Sequence, residues 1–208
     1  VKVKVCGIKT VEAGLEAVRS GADAIGFVFA ESKRRISIEA AREISRKVPQ
    51  HVKKIGVFVN EELEVINRCI NEANLDFVQL HGDETPEFCS RVKIPVVKSF
   101  SIRKKEDLNR LSSYQVDYYL LDSPAGKYRG GNGTSFDWSL LKDLSKSERK
   151  IILAGGLTIE NVVEAINIVK PEMIDVSSGV ETDGEKDPIK MQKFTQMAKE
   201  AFNQLEGN

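Results

Sequence analysis

The sequence has little cysteine, little histidine and no net charge, and each shortage removes a class of protein. Three cysteines, Cys6, Cys69 and Cys89, are odd in number, widely spaced and without a C-x-x-C pair. That pattern fits neither a disulfide framework nor a zinc site, so reduced thiols are expected. His51 and His81 are the whole histidine complement. With no H-E-x-x-H, no P-loop and no histidine cluster, nothing demands a metal or a nucleotide cofactor. The 31 basic and 31 acidic side chains cancel, which argues against a general binder of nucleic acid or membrane surfaces. No apolar run approaches the roughly 18 residues of a membrane span, and the first residues alternate valine with lysine instead of forming a signal peptide. A soluble, cytoplasmic protein is expected.

What the chain does have is one repeated unit. Its 208 residues, 41% of them hydrophobic, suffice for a sizeable core, and residues 1–208 are expected to form one domain. Val1, Val3 and Val5 alternate with Lys2 and Lys4 up to Cys6-Gly7, the period of a strand with one buried face. Helical spacing in Val11, Leu15 and Val18 then gives way to the strand-like run 22–29. The alternation continues through strands predicted at 53–59, 76–81, 94–100, 116–122, 150–154 and 173–177. Helical stripes separate them, and a final stripe of Phe194, Met197, Ala201 and Leu205 follows the last. Parallel neighbours need a crossover, and a helix supplies it. Eight units favour an α/β fold closed as a single (β/α)8 TIM barrel with short loops over an open flavodoxin-like or Rossmann sheet, whose G-x-G-x-x-G is missing after the first strand.

In a parallel barrel the C-terminal strand ends share one face, where ligand chemistry collects. Cys6, His81, Asp122 and Asp175 arrive there, as do Gly155-Gly156 and Ser177-Ser178-Gly179. Loops after the seventh and eighth strands of such barrels often hold phosphate, because glycine lets backbone N–H groups approach an anion. Two ordinary turns would look the same. Asp122 ends an apolar strand, where a carboxyl is costly unless it faces solvent or ligand, and it would serve as a general acid or as a turn residue beside Ser123-Pro124. Cys6 reads either as a base or nucleophile or as a small buried hydrophobe. Lys33, Arg34 and Arg35 are either a solvated loop or a source of one planar fork for a substrate carboxylate.

Taken in order, eight blocks carry a resemblance. They are 3–9 (Val-Lys-Val-Cys-Gly-Ile-Lys), Gly26-Phe27-Val28-Phe29 with Ser32-Lys33-Arg34, 56–60 (Gly-Val-Phe-Val-Asn), and 78–82 (Val-Gln-Leu-His-Gly). Leu121-Asp122, Gly130-Gly131-Asn132-Gly133 with Phe136-Asp137-Trp138, 153–157 (Leu-Ala-Gly-Gly-Leu) and 175–181 (Asp-Val-Ser-Ser-Gly-Val-Glu) complete the set. Over nearly its whole length the chain resembles the phosphoribosylanthranilate isomerases of tryptophan biosynthesis. The resemblance implies a cofactor-free Amadori rearrangement of a small phosphorylated substrate, with Cys6 as general base and Asp122 as general acid. It further implies Arg34 on the anthranilate carboxylate, His81 and Asp175 near the substrate, and Gly156, Ser178 and Gly179 on the phosphate turns. Asn132 replaces the family's usual Ser or Thr, and Thr182-Asp183-Gly184 lacks the usual proline. A related isomerase of histidine biosynthesis, which carries aspartate where Cys6 stands, and a catalytically idle phosphate-binding barrel are the alternatives. A homodimer stays open.

Overall fold

The computed structural model describes residues 2–122, 138–146 and 148–207. In chain order these give β1 (Val3–Cys6), α1 (Val11–Arg19), β2 (Ala24–Val28), α2 (Ile38–Lys47), β3 (Lys53–Phe58), α3 (Leu63–Ala73) and β4 (Phe77–Leu80). They continue with α4 (Pro86–Ser90), β5 (Val96–Ser101), β6 (Tyr118–Asp122), β7 (Ile151–Ala154), α5 (Val162–Val169), β8 (Met173–Val176) and α6 (Pro188–Glu206). The eight strands close in sequence order into a parallel barrel, β8 pairing with β1. Most helix starts are set by short polar caps: Thr10, Ser37 and Thr85 each accept a hydrogen bond from the N–H three residues on, and Asp187 accepts from Ile189 and Lys190.

Two crossovers depart from the helices expected of them. Lys105–Ser113 and Trp138–Lys146 are 3₁₀ segments. In the first, Leu108 and Leu111 stand three apart with no apolar partner at four. That spacing suits a helix in which residues i and i+3 eclipse. The Gly130–Gly133 block and Phe136-Asp137 lie outside the described residues. A two-stranded hairpin, β9 (Glu181–Thr182) and β10 (Glu185–Lys186), was not expected at all. Its tip is Asp183-Gly184, both at positive φ (51° and 82°), the pair a tight hairpin turn selects.

Side chains alternate between the barrel interior and the layer under the helices. The outer layer is the large core, in which Val3, Val5, Ile25, Phe27, Phe58, Leu80 and Leu121 meet Ile44, Ile66, Ile166 and Phe194 of the helices. Val97, Leu120, Ile152, Ala154 and Met173, with Phe77 and Tyr118, form a second apolar cluster that fills part of the interior. Lys4 corrects the reading of the first strand as half exposed. It is fully buried, because in a closed barrel the face opposite the helices is the interior and not water.

Candidate active site

Above that apolar filling, the interior turns polar and opens into a cleft of about 340 Å³. Cys6, Arg34, Gln79, His81, Asp122, Gly156, Asp175 and Ser178 all line it. The structure therefore brings together every anticipated site residue except Gly179. That glycine backs the wall: a Cβ there would lie 1.9 Å from the Leu157 carbonyl oxygen, so its absence lets the β7 and β8 loops touch.

Cys6 ends β1 beside Gly26 of β2, and a Cβ on Gly26 would stand 2.6 Å from the sulfur. The thiol thus occupies space that only glycine leaves. Burial is the largest influence on it and pushes it up; Lys4 and Lys186 pull the other way and Asp175 adds to the rise. Lys4 stands beside Asp175 in the β1–β8 ladder. Its Nζ donates to Asp175 Oδ2 and Gln79 Oε1, both at 2.8 Å. Burial alone would lower the Lys4 ammonium, but Asp175 and then Cys6 outweigh it and hold it above its ordinary value. The second oxygen of Asp175, Oδ1, is buried in the cleft wall with no partner among the described residues. An acceptor left so calls for a donor from a ligand.

Across the cleft, His81 follows β4 and lies 3.0 Å from Gln79 Nε2 through Nδ1 and 3.3 Å from Asp122 Oδ2 through Nε2. Asp122 is a third exposed, so this carboxyl faces the mouth instead of being sealed in it. In the loop after β7, Gly155 and Gly156 both take positive φ (86° and 63°). Asn161 holds that loop, accepting from Thr158 N–H at 2.8 Å and donating to Gly156 O at 2.9 Å.

Arg34 does not hang in solvent. Its Nε and Nη2 form a bidentate pair with Glu181 of β9 at 2.7 and 2.8 Å, and Lys186 of β10 reaches the same carboxylate at 2.7 Å. Gly7 makes the seat: its φ is +84°, and a Cβ there would meet Arg34 Cδ at 2.6 Å. Burial alone would raise the Glu181 carboxyl, yet the hydrogen bonds from Arg34 and Lys186 lower it from 4.5 to about 2. A folded value below the unfolded one means that this carboxylate contributes stability fully above pH about 4.5, lost as pH falls toward 2. Urea midpoints of Glu181→Gln are expected to fall less steeply than wild type across that window. Parallel acid limbs would deny the pair its linkage.

Lys4, Gln79, Glu181 and Lys186 were not singled out as site residues in the sequence. Two were within reach, since Lys4 is two residues from Cys6 and Gln79 two from His81, and strand periodicity puts each pair on one face. No cluster of three or more His, Cys, Asp or Glu among the described residues could hold a metal ion.

A model of the N-(5'-phosphoribosyl)anthranilate (PRA) isomerase family matches residues 3–197. The chain belongs to this isomerase family. A Bacillus cereus N-(5'-phosphoribosyl)anthranilate isomerase is 52% identical over 200 residues, 96% of this chain and 98% of that one. The crystal structure of phosphoribosyl anthranilate isomerase from Thermotoga maritima superposes with a TM-score of 0.89 at 44% identity, covering 96% of this chain and 99% of that one. A further crystal structure of a phosphoribosyl anthranilate isomerase, similar at 43% identity and a TM-score of 0.87 over 96% of this chain and 99% of that one, is in complex with reduced 1-(o-carboxyphenylamino)-1-deoxyribulose 5-phosphate.

Proposed function

We propose that the cleft converts N-(5-phosphoribosyl)anthranilate to 1-(2-carboxyphenylamino)-1-deoxyribulose 5-phosphate, the isomerase step of tryptophan biosynthesis. The observation that carries this reading is that the Cys6 thiol and the Asp122 carboxyl line one cleft together with the Arg34 fork and the Gly155-Gly156 loop. Asp122 gives its proton to the furanose ring oxygen as the bond from that oxygen to C1′ breaks, leaving a protonated imine. Cys6, as thiolate, removes the C2′ proton, and the electron pair of that C–H bond neutralises the imine to an enolamine. Return of a proton to C1′ and loss of the one on the C2′ oxygen give the ketone. C2′ is oxidised as C1′ is reduced within the same molecule, so the step balances without an external oxidant, reductant or cofactor.

A buried thiol is a poor base in the resting site. The positive charge that appears at the imine when Asp122 has acted favours the thiolate at the step that needs it. The phosphate rests against Gly156 and Ser178, on turns that Gly179 lets approach each other. Asp175 Oδ1 accepts from a sugar hydroxyl. Glu181 occupies the Nε–Nη2 edge of Arg34 and leaves the Nη1–Nη2 edge to take the anthranilate carboxylate in a second bidentate pair. Arg34→Ala is accordingly expected to raise KM about 10-fold or more, the worth of a charge-assisted hydrogen bond, with a smaller change in kcat. An unchanged KM would return Arg34 to a structural role.

The deciding experiment follows the loss of anthranilate fluorescence when freshly made phosphoribosylanthranilate meets the purified protein. Turnover there, with none on the aminoimidazole carboxamide substrate of the histidine pathway, supports the assignment. Binding of phosphorylated ligands without any turnover would leave an idle barrel. Among the described residues no helix is long and apolar enough to cross a membrane.

A further inference from the structure

Between the two halves of the site runs a chain of polar groups whose direction is dictated by one end. Lys4 Nζ is an ammonium and donates only, so the atom of Gln79 that it meets at 2.8 Å must be the carbonyl oxygen. The amide orientation follows, and the NH₂ group of Gln79 is the one placed 3.0 Å from His81 Nδ1. A nitrogen that accepts carries no proton, which leaves the imidazole proton on Nε2, 3.3 Å from Asp122 Oδ2 and 3.4 Å from the Ser99 hydroxyl. Lys4 is wholly buried and Gln79 is 2% exposed, so water does not offer either a substitute partner.

We propose that Gln79, anchored by Lys4, is a positioning residue that locks His81 in the Nε2–H tautomer and so directs the acid proton of Asp122 to Oδ1. The proposal rests on Asp122 being the general acid. If Nε2–H turns to Oδ2, 3.3 Å away, in preference to the Ser99 hydroxyl at 3.4 Å, that oxygen is taken as the acceptor and the transferable proton resides on Oδ1. When it leaves for the ring oxygen, the new carboxylate is met at once by the donor already aimed at it. The opposite tautomer would present a lone pair at Nε2, hold the Asp122 proton on Oδ2 and withdraw it from the substrate. Lys4 thus serves the acid through Gln79 and His81 while it lies beside the base Cys6 two residues along the same strand.

The chain has two histidines, and His51 is exposed in a connector before β3, so a histidine-selective ¹⁵N spectrum contains one reporter and one internal reference. Two-bond ¹H–¹⁵N correlations of the ring assign the tautomer directly. The wild-type protein is expected to show His81 with its proton on Nε2. Gln79→Met should release it to a tautomer mixture like that of His51. Gln79→Glu, which puts an acceptor where the NH₂ group stood, should draw the proton to Nδ1. Both variants should lower kcat about 10- to 100-fold, the scale of losing an outer orienting partner, with KM moving less. A wild-type proton on Nδ1, or an unchanged Nε2–H signal in folded Gln79→Met and Gln79→Glu, overturns the proposal. If neither variant folds, Lys4→Met, which frees the amide to flip, must shift the signal in their place, and a fixed Nε2–H signal there also overturns it. Tautomer shifts as expected in a protein that never turns over phosphoribosylanthranilate would uphold the relay and sink the reaction assigned to it.

Discussion

Cys6→Ala is expected to lower kcat/KM by at least about 10²- to 10⁴-fold, the usual contribution of a positioned acid or base. Cys6 is 8% exposed and its sulfur lies against Gly26, so its loss opens a small space without exposing a polar group, and the fold and phosphate affinity should survive. Serine is not a milder replacement, because an alcohol is a far weaker acid than a thiol and would be unable to take up the C2′ proton as an anion. Asp122→Asn should cost a similar factor by a different route: the amide keeps the shape beside His81, but its N–H is far too weak an acid to protonate the ring oxygen. Since ring opening must precede deprotonation, the double variant is expected to be scarcely worse than the more damaged single one, as for groups acting in one sequence of events. Steady-state fluorescence kinetics on the three variants decide it. Near wild-type turnover in Cys6→Ala would remove the thiol from the mechanism.

Much of this site was legible because strand periodicity and fold geometry act together. Val3 and Val5 are apolar because they face the helices, and that parity alone sends Lys4 and Cys6 to the opposite face. Read without closure, that face looks like solvent; closed into a barrel, it is the interior, and Lys4 changes from a surface charge into the most buried cation of the site. The same step converts Gln79 from a polar strand residue into the partner of His81. Arg34 was recognisable as a fork but its support was not, since Glu181 lies 147 residues away on a hairpin that no hydrophobic pattern announces. Asp183-Gly184 was the available signal for that hairpin, and its two-residue strands are too short to show alternation. The first 3₁₀ crossover escaped for a related reason: a nine-residue segment with two leucines satisfies a period of three as well as one of 3.6.

Lys98→Met is expected to be the most destabilising single change outside the cleft, and its consequences should reach His81. Lys98 and Glu84 are paired at 3.2 Å with side chains 1% and 2% exposed. The ammonium also donates to the carbonyl oxygens of Leu80, Gly82 and Ser99, while Glu84 accepts from the N–H groups of Asn60 and Gly82. Leu80 and Gly82 flank His81, so this ion pair clamps the turn that presents the imidazole to Asp122. Removing one partner strands a desolvated charge, a loss of about 3–5 kcal/mol. In a chain of this size that corresponds to a drop of roughly 6–20 °C in the unfolding midpoint. Adding Glu84→Gln should recover part of the loss, because the double variant no longer buries an unpaired carboxylate, although the backbone groups of Leu80 and Gly82 stay without their donor. The same variants separate stability from positioning. If the clamp aims His81, Lys98→Met assayed well below its midpoint loses kcat while keeping KM, and the double variant regains stability without regaining rate. Recovery of both together would mean that the pair holds the barrel and not the histidine.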